Sequence, residues 1–239
     1  MLNKIHHGDC LEVMKEIEDK SVDMILCDLP YGTTKCKWDT IIPFESLWEQ
    51  YERVIKDNGA IVLFSKQPFT TSLIASNIGL FKYSLVWEKD NHDNPLMAKK
   101  RFLNITEDIN IFYKKQVVFN PQGLIEVNKV TSQGRGESLS QQNKRDKTYN
   151  QQFTNYPKNI LRFKRDLPNV HDTQKPVALC EFLVRTFTND GETVLDNCIG
   201  SGTTAIASLN TGRFFIGIEQ DEHYCNIARQ RIAEWHEGR

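Results

Sequence analysis

The sequence predicts an α/β fold organised around a largely parallel sheet, and two observations carry that prediction. Short apolar runs alternate with stretches of helical periodicity along most of the 239 residues, the pattern of strands covered on both faces. In addition, VLDNCIGSGTTAIASLNTGRFFIGIEQDEHY, residues 194–224, reads as strand, glycine turn, helix and second strand.

Taken in order, the apolar runs place strands at 4–7, 22–27, 60–65, 83–87, 109–113, 193–197 and 214–218. Between several of them, apolar residues recur at helical spacing, and helices are expected over 11–17, 44–56, 69–77, 177–188, 203–210 and 221–235. Residues 115–170 break the pattern. They are rich in Gln, Asn, Lys and Arg, contain Gly134-Arg135-Gly136 and show little periodicity. So long an irregular stretch inside a compact domain is usually functional or disordered. The expected organisation is one domain formed by 1–114 and 171–239, interrupted by an insertion at 115–170.

Bulk properties exclude several classes. No apolar run reaches about 18 residues, and MLNKIHHGD lacks the apolar core of a secretion signal, so a cytoplasmic protein without a membrane span is expected. The six cysteines form no C-x-x-C pair, which favours reduced, mostly buried thiols over a zinc site or a disulfide framework. The histidine pair His6-His7 lacks partners at metal spacing, and no metal is expected. The net charge of −1 conceals an asymmetry: residues 99–165 hold 14 Lys/Arg against 5 acids. A basic segment in an otherwise acidic chain fits a polyanionic partner such as nucleic acid, or a solvated loop.

Two motifs carry chemistry. In ILCDLPYGTTKCKWD, residues 25–39, an apolar run ends at Asp28 and a turn sets a carboxylate, a proline and an aromatic ring side by side. In 194–224, one strand ends at Asp196, the turn contains Gly200-x-Gly202, and the second strand ends at Glu219, placed to accept ribose hydroxyls. ATP is disfavoured, because Gly202 is followed by Thr203-Thr204 rather than by the lysine of a phosphate-binding loop. A dinucleotide pyrophosphate would be repelled by Asp196. A cationic, phosphate-free cofactor suits the site better, and S-adenosylmethionine carries an ammonium and a sulfonium.

DLPY at 28–31 followed by LDNCIGSGTT at 195–204 resembles the amino-group DNA methyltransferases of the permuted, beta class, in which an Asp-Pro-Pro-Tyr motif precedes the cofactor motif. HGDC at 7–10 and HDTQKP at 171–176 add to the resemblance, which spans nearly the whole chain apart from 115–165. Two departures stand out: Leu29 replaces the family's first proline, and Asp172 replaces a proline of the later segment. The first is harmless if position 29 contributes only its backbone carbonyl.

The resemblance implies a Rossmann-like S-adenosylmethionine-dependent fold with a mostly parallel seven-stranded sheet and an inserted target-recognition region. It implies adenine-N6 transfer in double-stranded DNA after base flipping, with cytosine-N4 transfer and a catalytically silent DNA-binding protein as alternatives; Asp28 rather than serine tilts the choice to adenine. By resemblance, the Asp28 carboxylate and the Leu29 carbonyl hold the amine, Pro30 shapes the turn and Tyr31 stacks on the base. Asp9, Thr173, Lys175, Asp196, Gly200, Gly202, Thr203 and Glu219, with Asp28, are implied at the cofactor. Duller roles remain open: Asp9 as a helix N-cap, Lys175 as a solvated side chain, and Tyr224 as packing; Phe102, Asn104 and Glu107 lie where the family keeps residues near the flipped base, and are read as core or support. Lys35, Lys37, Arg135, Lys144, Arg145, Arg162, Lys164 and Arg165 are the candidate DNA contacts. The sequence leaves a homodimer and a restriction endonuclease partner open.

Overall fold

The computed structural model describes residues 1–32, 39–92, 95–132, 148–166 and 174–238. Its elements run β1 (Lys4–His7), α1 (Cys10–Met14), β2 (Val22–Asp28), α2 (Phe44–Val54), β3 (Ile55–Ser65), α3 (Phe69–Ser76), β4 (Phe81–Glu88), β5 (Thr106–Phe112), β6 (Ile125–Ser132), β7 (Thr148–Thr154), β8 (Ile160–Arg162), α4 (Val177–Phe187), β9 (Thr193–Asp196), α5 (Thr203–Asn210), β10 (Phe214–Glu219) and α6 (Glu222–Glu237). No helix among the described residues is long and apolar enough to cross a membrane.

The chain divides into two compact units. The larger comprises Met1–Asn120 and Asn159–Arg239, the smaller Pro121–Lys158. The larger holds a sheet in the order β1-β10-β9-β2-β3-β5-β4-β8. Its neighbours are parallel except where β5 runs antiparallel to both β3 and β4. The seven expected strands are all present. The eighth, β8, comes from residues expected to be irregular. It was illegible because Ile160-Leu161-Arg162 buries only Leu161, too little for an apolar signal.

Alternation along the central strands explains why the sheet forms. Ile25 and Cys27 of β2, Ile61 and Leu63 of β3 and Leu195 of β9 pack on one face, against Leu47, Trp48 and Tyr51 of α2. Met24, Leu26, Val62, Phe64 and Val194 pack on the other, against Leu179, Leu183 and Val184 of α4. Successive side chains point to opposite faces, and here both faces are core, so the strands read as unbroken apolar runs.

The smaller unit contains the antiparallel ribbon β6–β7. Its apolar residues stay largely exposed, with Ile125 and Val130 on the surface. The ribbon rests on backbone pairing with little side-chain burial, which is why no periodicity announced it.

Topology fixes where a site can lie. The chain passes from β9 outward to β10 on one side and from β2 to β3 on the other, so the adjacent strands β9 and β2 flank the point where strand order reverses. In open α/β sheets a crevice opens at the carboxyl ends of such strands. Asp196 and Asp28 terminate these two strands.

The turn after β9 depends on glycine. Gly202 caps α5 at φ +87°, and a Cβ there would lie 3.0 Å from the Cβ of Ala228 in α6. Both the left-handed backbone and the helix contact oppose a side chain. Gly202→Ala is expected to cost about 1–3 kcal/mol, read as a lower urea midpoint with an unchanged slope.

Candidate active site

A cavity of about 490 Å³ opens at the carboxyl ends of the strands. Asp28, Leu29, Pro30 and Tyr31 line one part of it, and Asp196, Gly200, Thr203 and Glu219 another; Asp9, Arg165 and Lys175 also reach it. Sequence reasoning therefore brought most of its described candidates to one place. Gly202 is not among the lining residues and packs on α6 instead. Tyr224, read as packing, lines the cavity. Thr173, Lys35, Lys37, Arg135, Lys144 and Arg145 lie outside the described residues, as do His171 and Asp172.

Asp28 stands at the end of β2, with part of its side chain still accessible. The Tyr31 hydroxyl donates to its Oδ1 at 2.5 Å, and the Lys175 ammonium pairs with its Oδ2. A third group completes the cluster. Glu107, on β5, is buried at 6% exposure; its Oε1 lies 3.1 Å from Lys175 Nζ and 3.0 Å from Tyr31 Oη. Lys89 approaches its other oxygen at 3.9 Å. The Lys175 ammonium also sits 5.1 Å from the centre of the Phe64 ring. Two carboxylates, one phenol and one ammonium thus form a closed cluster.

The electrostatics follow from burial and mutual charge. Burial pushes Asp28 up, and Lys175 only partly counters it, with Glu107 adding to the rise. Glu107 also suffers burial, but Lys175, Lys66 and Lys89 together bring it below the usual range. Lys175 is held above its ordinary value, because Asp28 and Glu107 outweigh its own desolvation. Of the two acids, Asp28 is the one that takes a proton first.

Tyr31 is fixed at both ends. Its hydroxyl is held by the acids, and its ring stacks on Phe69 with centroids 5.2 Å apart and planes at 29°. The next turn is pinned where Gly32, at φ +67°, donates its N–H to Asp39 Oδ1 at 2.8 Å. The Leu29 side chain is buried in the core.

At the end of the neighbouring strand β9, Asp196 accepts the Cys198 N–H at 3.1 Å, and burial pushes its carboxyl up to about 7. Glu219 braces the glycine turn, accepting the Gly200 N–H and the Asp221 N–H, each at 2.9 Å. Gly200 has φ +51° and open space where a Cβ would be. Asp9 caps α1 through Oδ1, accepting the Leu11 N–H at 2.8 Å. The His6 and His7 rings each bond a backbone carbonyl, of Met1 and Gln220 respectively.

The sequence-matched DNA candidates differ in setting. Arg162 pairs with Glu88 at 3.0 Å, Arg165 faces Asp90 at 3.5 Å, and Lys164 is exposed. Phe102, expected in the core or in support, is 99% exposed after Lys99-Lys100-Arg101, and Asn104 is exposed too. Glu107 lies just before the strand expected at 109–113 and beside Asp108, so no local pattern marks it, and its partners are 68 and 76 residues away in the chain.

The sequence model of a family described as DNA methylase matches residues 22–230. The chain belongs to that family. A DNA adenine methyltransferase of Escherichia coli K12, YhdJ, is 30% identical over 247 residues, covering 95% of this chain and 82% of the relative. The solved complex of M1.HpyAVI with SAM is 25% identical, covers 95% of this chain and 98% of that one, and superposes with a TM-score of 0.65. The cytosine-N4-specific PvuII DNA methyltransferase shares the fold at a TM-score of 0.70 with 16% identity, over 95% of this chain and 85% of that one. The cavity of this DNA methylase is lined by residues of the two motifs that the sequence singled out, together with Asp9, Glu107, Arg165, Lys175 and others.

Lys175 carries a clear energetic consequence. Lys175→Met leaves two buried carboxylates without their ammonium, an expected loss of about 3–5 kcal/mol. In the variant Asp28 loses the cation that counters its burial and stands further above its unfolded pKa, so stability falls as pH rises through that interval. Urea unfolding is expected to show the full deficit at pH 8 and a much smaller one near pH 4.

Proposed function

We propose that this DNA methylase transfers a methyl group from S-adenosylmethionine to the N6 amine of adenine in double-stranded DNA, at a specific sequence. The observation that carries the reading is that Asp28, at the end of β2, and Asp196 and Glu219, at the ends of β9 and β10, line one cavity. The cofactor fits the Asp196–Glu219 part. Among the described residues, buried Asp196 has no ammonium as a hydrogen-bond partner and is pushed up to about 7, so a cationic ligand relieves it, whereas a pyrophosphate would aggravate it. Gly200 leaves open space there, and Glu219 keeps lone pairs for hydroxyl donors after bracing the turn. When bound, S-adenosylmethionine supplies an electrophilic methyl on sulfur.

The remaining chemistry belongs to the chain and the substrate. An aromatic amine is a poor nucleophile because its lone pair is delocalised into the ring. Two acceptors, the Asp28 carboxylate and the Leu29 carbonyl, draw its N–H groups out of conjugation and free the lone pair. The carboxylate also stabilises the positive charge that grows on nitrogen during transfer. Tyr31, braced from behind by Phe69, provides a stacking wall for a base that must first leave the duplex. Aspartate at position 28 and the likeness to an adenine enzyme support N6 over cytosine N4. The basic segment 115–170 would grip the target as the recognition region, with Arg162, Lys164 and Arg165 as the described candidates for DNA contact.

Nucleoside mass spectrometry of DNA from a methylation-free host expressing the protein is expected to show N6-methyladenine, and N4-methylcytosine would overturn the base assignment. Asp28→Ala is expected to abolish transfer while leaving cofactor binding within a few-fold, measured by titration calorimetry. Affinity for S-adenosylmethionine is expected to rise with pH and level off above about 7, as Asp196 ionises; Asp196→Asn flattens that dependence. DNA affinity is expected to fall steeply with salt, as counterion release requires.

A further inference from the structure

Asp28 is not simply an exposed acid waiting for a base. Each of its oxygens already has a partner, Tyr31 on Oδ1 and Lys175 on Oδ2, and both partners reach the same oxygen of a second acid, Glu107 Oε1. A substrate amine must add its N–H donors to this arrangement, using lone pairs that Tyr31 and Lys175 leave over. Where those two groups are held therefore decides which lone pairs of Asp28 face the amine.

Resting on the proposed methyl transfer, we infer that Glu107 is a positioning residue for the reaction: it anchors Lys175 and Tyr31 against Asp28, and so fixes both the orientation and the charge of the carboxylate that meets the substrate amine. Three features support it. Glu107 is almost fully buried and bonds both partners of Asp28, whereas a packing residue at this point of β5 would be apolar. A single phenolic proton cannot serve two carboxylates at once, so Tyr31 must share between Asp28 at 2.5 Å and Glu107 at 3.0 Å, which couples the two acids. Lysines surround the Glu107 side, with Lys89 at 3.9 Å and Lys66 close enough to act on its charge. Glu107 thus stays ionised and takes part of the Lys175 charge away from Asp28.

The coupling gives opposite signs for two substitutions. Among the described residues, the charged or titratable groups acting on Asp28 include Tyr31, Glu107 and Lys175, with Asp196, Cys27 and Cys180 close enough to act on it. Glu107→Gln keeps the shape and an acceptor oxygen but removes an anion, and it releases Lys175 wholly to Asp28. Asp28 then ionises at lower pH. Lys175→Met removes the cation, and Asp28 ionises at higher pH.

The test uses carboxyl carbon-13 NMR of the intact free protein, with the Asp28 signal identified by its loss in Asp28→Asn. Its midpoint is expected to move down by about one pH unit in Glu107→Gln and up by at least as much in Lys175→Met. An Asp28 midpoint unmoved in Glu107→Gln overturns the inference, and this holds whether or not the protein methylates DNA. Methyl transfer to unmethylated genomic DNA supplies the second measurement. In Glu107→Gln, kcat is expected to fall at least tenfold, KM for DNA to change little, and the acid limb of the rate profile to shift to lower pH. A uniform loss at every pH with an unmoved limb shows a merely structural role. Absence of transfer by the wild-type protein overturns the functional reading and leaves the NMR result standing on its own.

Discussion

One ammonium placed between two buried carboxylates is the constraint on which the site depends. Charge in a low-dielectric interior persists only when it is paired and hydrogen-bonded. Lys175 meets that condition for Asp28 and Glu107 together, and Tyr31 supplies the remaining hydrogen bond. Each member of the cluster comes from a different part of the chain: the end of β2, the turn after it, β5, and the residues leading into α4. The cluster therefore works as a fastener. It holds the antiparallel strand β5 in register with the parallel half of the sheet at the edge where the cavity opens.

Asp196 follows a different logic. Among the described residues it has hydrogen bonds but no ammonium partner, and it sits far above the usual carboxylate range. Such a group stores an electrostatic deficit that a cation can relieve.

Much of this was legible in the sequence wherever chemistry and chain were local. Asp28 with Tyr31, and Asp196 with Gly200 and Glu219, lie at strand ends within short motifs, and apolar runs marked the strands that carry them. Lys175 was seen as a candidate, but its partner Asp28 is 147 residues away, a separation that no pattern of spacing reports. Glu107 was undervalued for the same reason. Phe102 was misjudged because hydrophobicity implies burial only on average, and here the ring stands in solvent. The ribbon β6–β7 and strand β8 escaped notice because backbone pairing, unlike a core face, leaves little trace in side-chain type.

Strand order also governs how the protein is made. The sheet places β10 between β1 and β9, and β9 between β10 and β2. A nascent chain that has exposed β1 and β2 must wait until some 190 more residues are synthesised before the strands that separate and join them exist. Among the described residues, the first strand, Lys4–His7, pairs with β10 alone. Pairings across such sequence distances are slow to close and leave apolar strand faces uncovered meanwhile. Folding of the N-terminal strands is thereby tied to completion of the C-terminal ones, and a prematurely stopped chain would release a sticky fragment without a partly working enzyme.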